Sequence, residues 1–162
     1  MKRYIGTKLI NAKPMTRQAY NDFRGWNLPA DENGADEGYL VEYVDGGKGN
    51  TDHYAGYVSW SPADVFDRAY RPCEGMTFGQ AIEAMKTGQK VARAGWNGKG
   101  MFVYYVPANS YPVQTGAAKS HFGEGAMVPY NAYMAIKNVN ETVSTWVPGV
   151  NDVLSDDWSI VE

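Results

Sequence analysis

The residues equipped for acid–base or metal chemistry are few and scattered. The two histidines, His53 and His121, stand in separate Gly-rich polar loops. Neither has a second His, a Cys or a suitably spaced carboxylate from which a metal site is built. The acidic runs "ADENGADEG" and "SDD" supply carboxylates, but such runs ordinarily form solvated faces, and Asp156-Asp157 suits a turn. Cys73 is the sole cysteine, with no base beside it in sequence, so neither an internal disulfide nor a CxxC metal site is possible. "GWNGKG" has the glycines of a phosphate loop but lacks the terminal Ser/Thr and the following helix on which a P-loop depends. These residues point away from an enzyme, and no metal or cofactor is expected.

Binding chemistry is better represented. In "VARAGWNGKGMFVYYV", residues 91–106, two alternating apolar runs flank Asn97-Gly98, the dipeptide suited to a type I′ turn. Trp96 stands at that turn, where chain reversal needs no aromatic ring. An indole beside glycines offers a stacking face worth about 1–3 kcal/mol per base. Glycines also let a phosphate or ribose approach the backbone closely. Arg93 or Lys99 would offset phosphate charge, and Asn97 would read a base edge or a hydroxyl. Tyr104, Tyr105, Tyr130 and Tyr133 add further rings. The plainer reading is that Trp96 covers one end of a sheet and packs on Met101 or Phe78.

The chain has 162 residues, 44% hydrophobic and 20% charged, as in a soluble globular protein of one medium or two small domains. Aromatics reach 14%, with 12 Tyr and 5 Trp, which fits a β-rich fold or a surface for flat ligands. Net charge is −3 and the isoelectric point is near 5.4. No basic stripe interrupts this balance, which argues against a DNA or RNA polymer as partner. The N-terminal "MKRYIGTKLI" lacks the apolar stretch of a signal peptide, and no window approaches a membrane span. A cytoplasmic protein without membrane association is expected.

"YRPCEGM" divides the chain, since Pro72 and Gly75 interrupt pattern on both sides. Residues 1–75 carry 9 Lys+Arg against 11 Asp+Glu, and residues 76–162 carry 6 against 7, so neither half is electrostatically special. Domains are expected at 1–73 and 76–162. The first reads as a small α+β unit: a strand through "YIGTKLINAKPM", a helix capped by Thr16, strands "YLVEYV" and "GYVSW", and a helix in "SPADVFDRAY" with Ser61 at the N-cap. The second opens on a helix, where Thr77 and Gln80 have capping-box spacing and Phe78, Ala81, Ile82 and Met85 form one apolar stripe. Gly88 stops it. Strands are expected at 90–94, 101–106, 132–138, 142–147 and 158–161, with a short helix in "GVNDVLSDD". The 22-residue linker 107–128 reads as functional or mobile. The fold class is α+β: a small antiparallel sheet with an N-terminal helix and a short C-terminal helix, preceded by a second small α+β domain.

Several of these segments occur together in a known family. "MTFGQAIEAMKTGQKVARAGWNGKGMFVYYVP", the strand before V-x-x-W, and the closing D-V-L-x-x-D-W resemble the second family of phage Thoeris anti-defence proteins over residues 76–162. The resemblance implies a non-enzymatic sponge that holds a cyclic nucleotide signal. That signal is the glycocyclic ADP-ribose of Thoeris TIR proteins and, for some relatives, the cyclic oligonucleotides of cyclase-based systems. It also implies a homotetramer with pockets at subunit interfaces, acting in the cytoplasm of the infected bacterial host. Carried onto this chain, it makes Trp96 a stacking plate and Asn97 a polar reader, with Tyr130, Trp146 and Asp152 as further pocket positions. Arg93, Lys99, Met101 and Tyr104 complete the expected ligand-binding set. Asp152, Asp156 and Trp158 have an alternative role in fixing the final helix and strand. Residues 1–73 resemble only a phage segment without assigned role.

Two other functions remain open on sequence alone. In one, the chain is a structural or interaction module of a phage and Trp96 is an interface anchor. In the other, it degrades the same nucleotide, which would need an acid/base pair gathered around His53, His121 or the carboxylates.

Overall fold

Backbone pairing begins at Ile10 rather than Tyr4: strand β1 (Ile10–Pro14) is short, and the residues ahead of it join no sheet. The computed structural model describes residues 1–162, and they form two compact units, Met1–Arg71 and Pro72–Glu162. The architecture is α+β with antiparallel sheets throughout.

In the first unit β1 leads into helix α1 (Arg17–Arg24), whose Thr16 side chain accepts the Ala19 N–H and whose end is turned by Gly25 at φ 66°. Strands β2 (Gly38–Tyr43) and β3 (Tyr57–Pro62) complete a three-stranded sheet ordered β1-β2-β3. Tyr20 of α1 packs on Leu40 and Val58 of the sheet, and Met15, Phe23, Tyr54 and Trp60 pack around them. Polar side chains reinforce it. The buried Glu42 carboxylate accepts from Asn11 Nδ2 at 2.9 Å and from the Gly56 N–H at 3.0 Å. These bonds, Asn11 first, hold its carboxyl below the usual carboxylate range. Helix α2 (Ala63–Ala69) starts later than Ser61 would set it. Gly38↔Pro62 and Tyr39↔Ser61 pairing keeps Ser61 and Pro62 in the sheet, so Pro62 takes the N-cap position with no side-chain cap bond.

The second unit starts as its sequence dictates. Thr77 and Gln80 form both bonds of a capping box on α3 (Phe78–Lys86), and Gly88 leaves the helix at φ 93°. The sheet comprises β4 (Lys90–Arg93), β5 (Phe102–Val106), β8 (Tyr133–Lys137), β9 (Val143–Trp146) and β10 (Trp158–Val161), in the order β10-β4-β5-β8-β9. The short helix α5 (Val150–Val153) precedes β10. Side chains alternate along strands, so Val91, Val103, Ile136 and Trp158 face Phe78, Ala81 and Met85 of α3 and build the core.

Two segments differ from their sequence pattern. The linker 107–128 carries most of a ribbon: β6 (Asn109–Pro112) pairs antiparallel with β7 (Met127–Tyr130), and helix α4 (Gly116–Phe122) joins them. And Asn97-Gly98 is no type I′ turn. Strand pairing stops at Arg93 and resumes at Phe102, and neither Asn97 nor Gly98 has the positive φ that such a turn requires; only Gly100, at φ 73°, does.

Candidate functional site

The loop 94–101 is held from below by a network that ties three parts of the chain together. Arg93, the last residue of β4, sends its guanidinium between two carboxylates. Its Nη1 meets Asp152 Oδ1 at 2.9 Å, its Nε meets Asp157 Oδ1 at 2.8 Å and its Nη2 meets Asp157 Oδ2 at 3.4 Å. Asp157 also accepts the Gly95 N–H at 2.9 Å. Asp152 accepts the Trp96 indole N–H at 3.2 Å and the Gly149 N–H at 2.9 Å, while its own carbonyl takes the Trp158 indole N–H at 2.9 Å. β4 with its loop is thereby fixed to a distant part of the chain, α5 and the start of β10.

Electrostatics follow the geometry. Burial pushes the Asp152 carboxyl up, but the hydrogen bonds from Arg93, Gly149 and Trp96 outweigh it, and the group lies below its ordinary value. Arg93 donation, opposed by burial and helped by Gly95, lowers Asp157 as well. Both carboxylates in turn raise the Arg93 guanidinium, Asp157 more than Asp152. None is poised to take or give a proton near neutral pH, and Arg93 already has its counter-ions.

Above this network lies an aromatic cluster. Trp96 stands edge-on to Trp158 and Trp146, with centroids at 5.4 and 6.0 Å, and Phe78 touches the same two rings at 5.4 and 6.2 Å. Trp146 and Trp158 meet at 6.0 Å. Edge-to-face contacts at these separations are the favoured arrangement of aromatic pairs. Trp158 is wholly buried; Trp96 and Trp146 are half-buried flanks of the core.

The expected binding residues therefore divide. Arg93, Trp96, Trp146 and Asp152 come together in the network and cluster just described. Asn97 and Lys99 stand exposed on the loop above it. Met101 turns inward under Gly98, so close that a Cβ at Gly98 would lie 2.1 Å from its Sδ and 2.8 Å from Val139 Cγ2. Tyr104 alternates with the core residue Val103, so it lies on the sheet face opposite α3, with Phe102 at 6.0 Å. Tyr130 belongs to the separate β6–β7 sheet, where its ring meets Tyr111 at 5.6 Å.

Of the residues read as fixing the last helix and strand, Asp152 and Trp158 do so, whereas Asp156 is exposed and its neighbour Asp157 makes the bonds. The signal for Asp157 was available in D-V-L-x-x-D-W, whose second Asp it is. Lys137 was not foreseen: its ammonium reaches the Gly100 carbonyl at 3.2 Å and pairs with Glu141, closing the far side of the loop. No group of three or more His, Cys, Asp and Glu side chains is arranged to hold a metal ion. His53 and His121 instead lie against Phe23 and Phe122, at 5.7 and 4.6 Å.

A helix-backed antiparallel sheet, closed by Arg93 and the D-V-L-x-x-D-W segment, is the part of the chain shared with known proteins. Residues 76–161 match the model of the Thoeris anti-defense 2-like domain, and the chain belongs to that family. Among its relatives is Thoeris anti-defense 2 of Bacillus phage SP01, 38% identical over 87 residues, which are 53% of this chain and 94% of that protein. The first unit lies outside the family match.

Proposed function

We propose that this protein is a phage inhibitor of bacterial immunity. Its second unit binds a cyclic nucleotide signal and withholds it intact from the host defence. The observation that supports this most directly is family membership through residues 76–161, which takes in the capped helix, the 94–101 loop and the closing D-V-L-x-x-D-W. The ligand class is glycocyclic ADP-ribose of Thoeris, with cyclic oligonucleotides as further cargo. The protein works in the cytoplasm of the infected host, without cleaving its ligand.

The contact residues in this proposal follow the geometry. Asn97 and Lys99, with the backbone from Gly98 to Gly100, face the ligand. Trp96, Trp146, Arg93 and Asp152 form a rigid base, on which the half-buried Trp96 offers the part of its ring left uncovered. Affinity then comes from stacking and from charge-assisted hydrogen bonds to phosphate. Tyr104 and Tyr130, on other faces, reach ligand only in an assembly. An assembly has support: Val147, Val150 and Leu154 are 85%, 73% and 76% exposed, and a run of exposed apolar side chains is characteristic of protein interfaces. We assign this run to a homo-oligomer, a tetramer by family resemblance, whose pockets lie between subunits.

The same exposed run favours a second reading, in which it docks another phage or host protein and the chain is an interaction module. One experiment separates them. Purified protein is mixed with glycocyclic ADP-ribose and a panel of cyclic dinucleotides, filtered, and then heated. Intact ligand released only on heating supports the sponge; ligand wholly in the filtrate supports the interaction module, and a cleaved product makes the chain an enzyme. Asn97→Ala with Lys99→Ala should lose retention while keeping the wild-type melting temperature, since both side chains are exposed.

A further inference from the structure

The first unit, outside the family match, has a cleft of its own. It measures about 780 Å³ and lies between α1, the loop after it, and β3. Its walls carry two cation–aromatic pairs. The Arg17 guanidinium lies over the Trp60 ring at 4.3 Å, and that of Arg24 over Trp26 at 4.4 Å. Arg17 and Arg24 are seven residues apart, two turns of helix, so α1 presents both to the cleft.

The pairs differ in charge. Arg17 is neutralised by Glu32 at 2.7 Å and Asp36 at 3.4 Å, and Trp60 is fixed by its indole N–H bonding the Met15 carbonyl at 2.8 Å. A Cβ at Gly38 would lie 2.4 Å from Trp60, so that indole is pressed between backbone and guanidinium. Arg24 has no carboxylate partner. Its Nη1 contacts the Tyr20 hydroxyl at 3.3 Å, and the Trp26 beneath it is 53% exposed. One side of the cleft is thus a charge-balanced structural pair. The other is an uncompensated cation spread on an indole plate, beside the open edge of Tyr57, which is 46% exposed.

We propose that this cleft is a binding site for a small ligand with a flat aromatic ring and one acidic group. The acidic group would pair with the fork of Arg24, which matches carboxylate or phosphate geometry. The ring would stack on the guanidinium or the Trp26 indole, both planar and both reachable. A cavity of this size is in the range of small-molecule sites and admits a ring with an attached sugar. The single unpaired cation sets the ligand's charge at one acidic group. The proposal does not rest on the function assigned to the second unit.

The test uses full-length ¹⁵N-labelled protein and its five tryptophan indole N–H signals. Two, from Trp26 and Trp60, report on this cleft; three, from Trp96, Trp146 and Trp158, report on the other unit. Probes are adenosine 5′-monophosphate and indole-3-acetate, with adenosine, inorganic phosphate and benzamidinium as controls. Either anionic ring, at millimolar concentration, should move Trp26 and Trp60 and leave the other three in place. The difference between adenosine 5′-monophosphate and adenosine isolates what the acidic group contributes. The neutral, ringless and cationic controls should bind at least about tenfold more weakly. Arg24→Gln should lose the anionic probes by a similar factor while its unliganded Trp60 signal stays at the wild-type position, which shows the fold intact. The proposal is overturned if neither anionic ring moves Trp26 and Trp60, if only the other three signals respond, if the cation binds as well as the anions, or if Arg24→Gln binds unchanged.

Discussion

The Asp152 side chain joins β4, the loop after it and the start of α5, and Asp152→Ala measures how much that contributes. The substitution removes the acceptor for Arg93, for the Trp96 indole and for the Gly149 N–H at once. A hydrogen bond involving a charged group contributes about 1.5–3 kcal/mol. Three such losses would sum to more than will be seen, for two reasons. Arg93 keeps Asp157, and the Asp152 side chain is 18% exposed, so water reaches part of what is vacated. We expect a net cost of about 2–4 kcal/mol. For a unit of this size each kcal/mol moves the melting temperature by roughly 4–8 °C, so the second unit should melt at least about 8 °C lower. Near-ultraviolet circular dichroism reads this directly, because the packed Trp96, Trp146 and Trp158 rings dominate that unit's signal. Asp156→Ala, next in sequence to the network but exposed, is the internal control and should lie within about 0.5 kcal/mol of wild type. If Asp152→Ala melts with Asp156→Ala, the network is decorative and the reasoning fails.

Acid should weaken the same network. Asp152 and Asp157 have carboxyls lowered by folding, so their contribution is complete above the ordinary carboxylate range near pH 4 and is lost as pH falls through their lower, folded values. Melting temperature measured from pH 7 down to 3 should therefore drop at the acid end, and Asp157→Asn should flatten that drop. Gly38→Ala should unfold the first unit selectively, at a cost above about 2 kcal/mol, because the added Cβ would meet the Ser61 carbonyl oxygen at 2.5 Å as well as Trp60. Chemical denaturation followed separately at Trp60 and Trp158 would show one transition moved and the other unmoved. Thr77→Ala should cost about 1 kcal/mol by removing the Gln80 cap bond. Trp96→Ala should cost about 3–5 kcal/mol in stability, so loss of ligand by that variant would not by itself assign the ring to ligand.

What was legible in the sequence was what neighbours in sequence decide. The capping box of Thr77 and Gln80, the stop at Gly88 and the strand 158–161 depend on a few adjacent residues, and the structure has them as written. Where distant packing competes, local preference lost. Asn97-Gly98 has the propensity for a tight turn. Gly98, however, is pressed against Met101 and Val139, and Trp96 is drawn down by Asp152, so the chain takes a wider path. Ser61-Pro62 has the chemistry of a helix start, but pairing with Gly38 and Tyr39 claimed both residues for the sheet. The β6–β7 ribbon was hidden because Pro112 and Pro129 lie within its strands, where proline ordinarily argues against pairing. The site is half visible in the sequence: its residue types are evident there, but Arg93 and Asp157 are 64 positions apart, and nothing local says that they meet.

The chain enters the second unit beside the place where it leaves. Met76 and Trp158 exchange backbone bonds at 2.8 and 3.2 Å, and Ile160 donates to the Cys73 carbonyl at 3.0 Å. A fold whose entrance and exit are adjacent is modular. A foreign sequence can be spliced at either end, or inserted whole into a loop of another protein, without prising the sheet apart. The same adjacency makes the unit a good subject for circular permutation, with residues 162 and 72 joined by a short linker and new ends opened at the exposed tip around Asn140. Such a permutant should keep the Arg93 network, since none of the residues that form it lies at the new break.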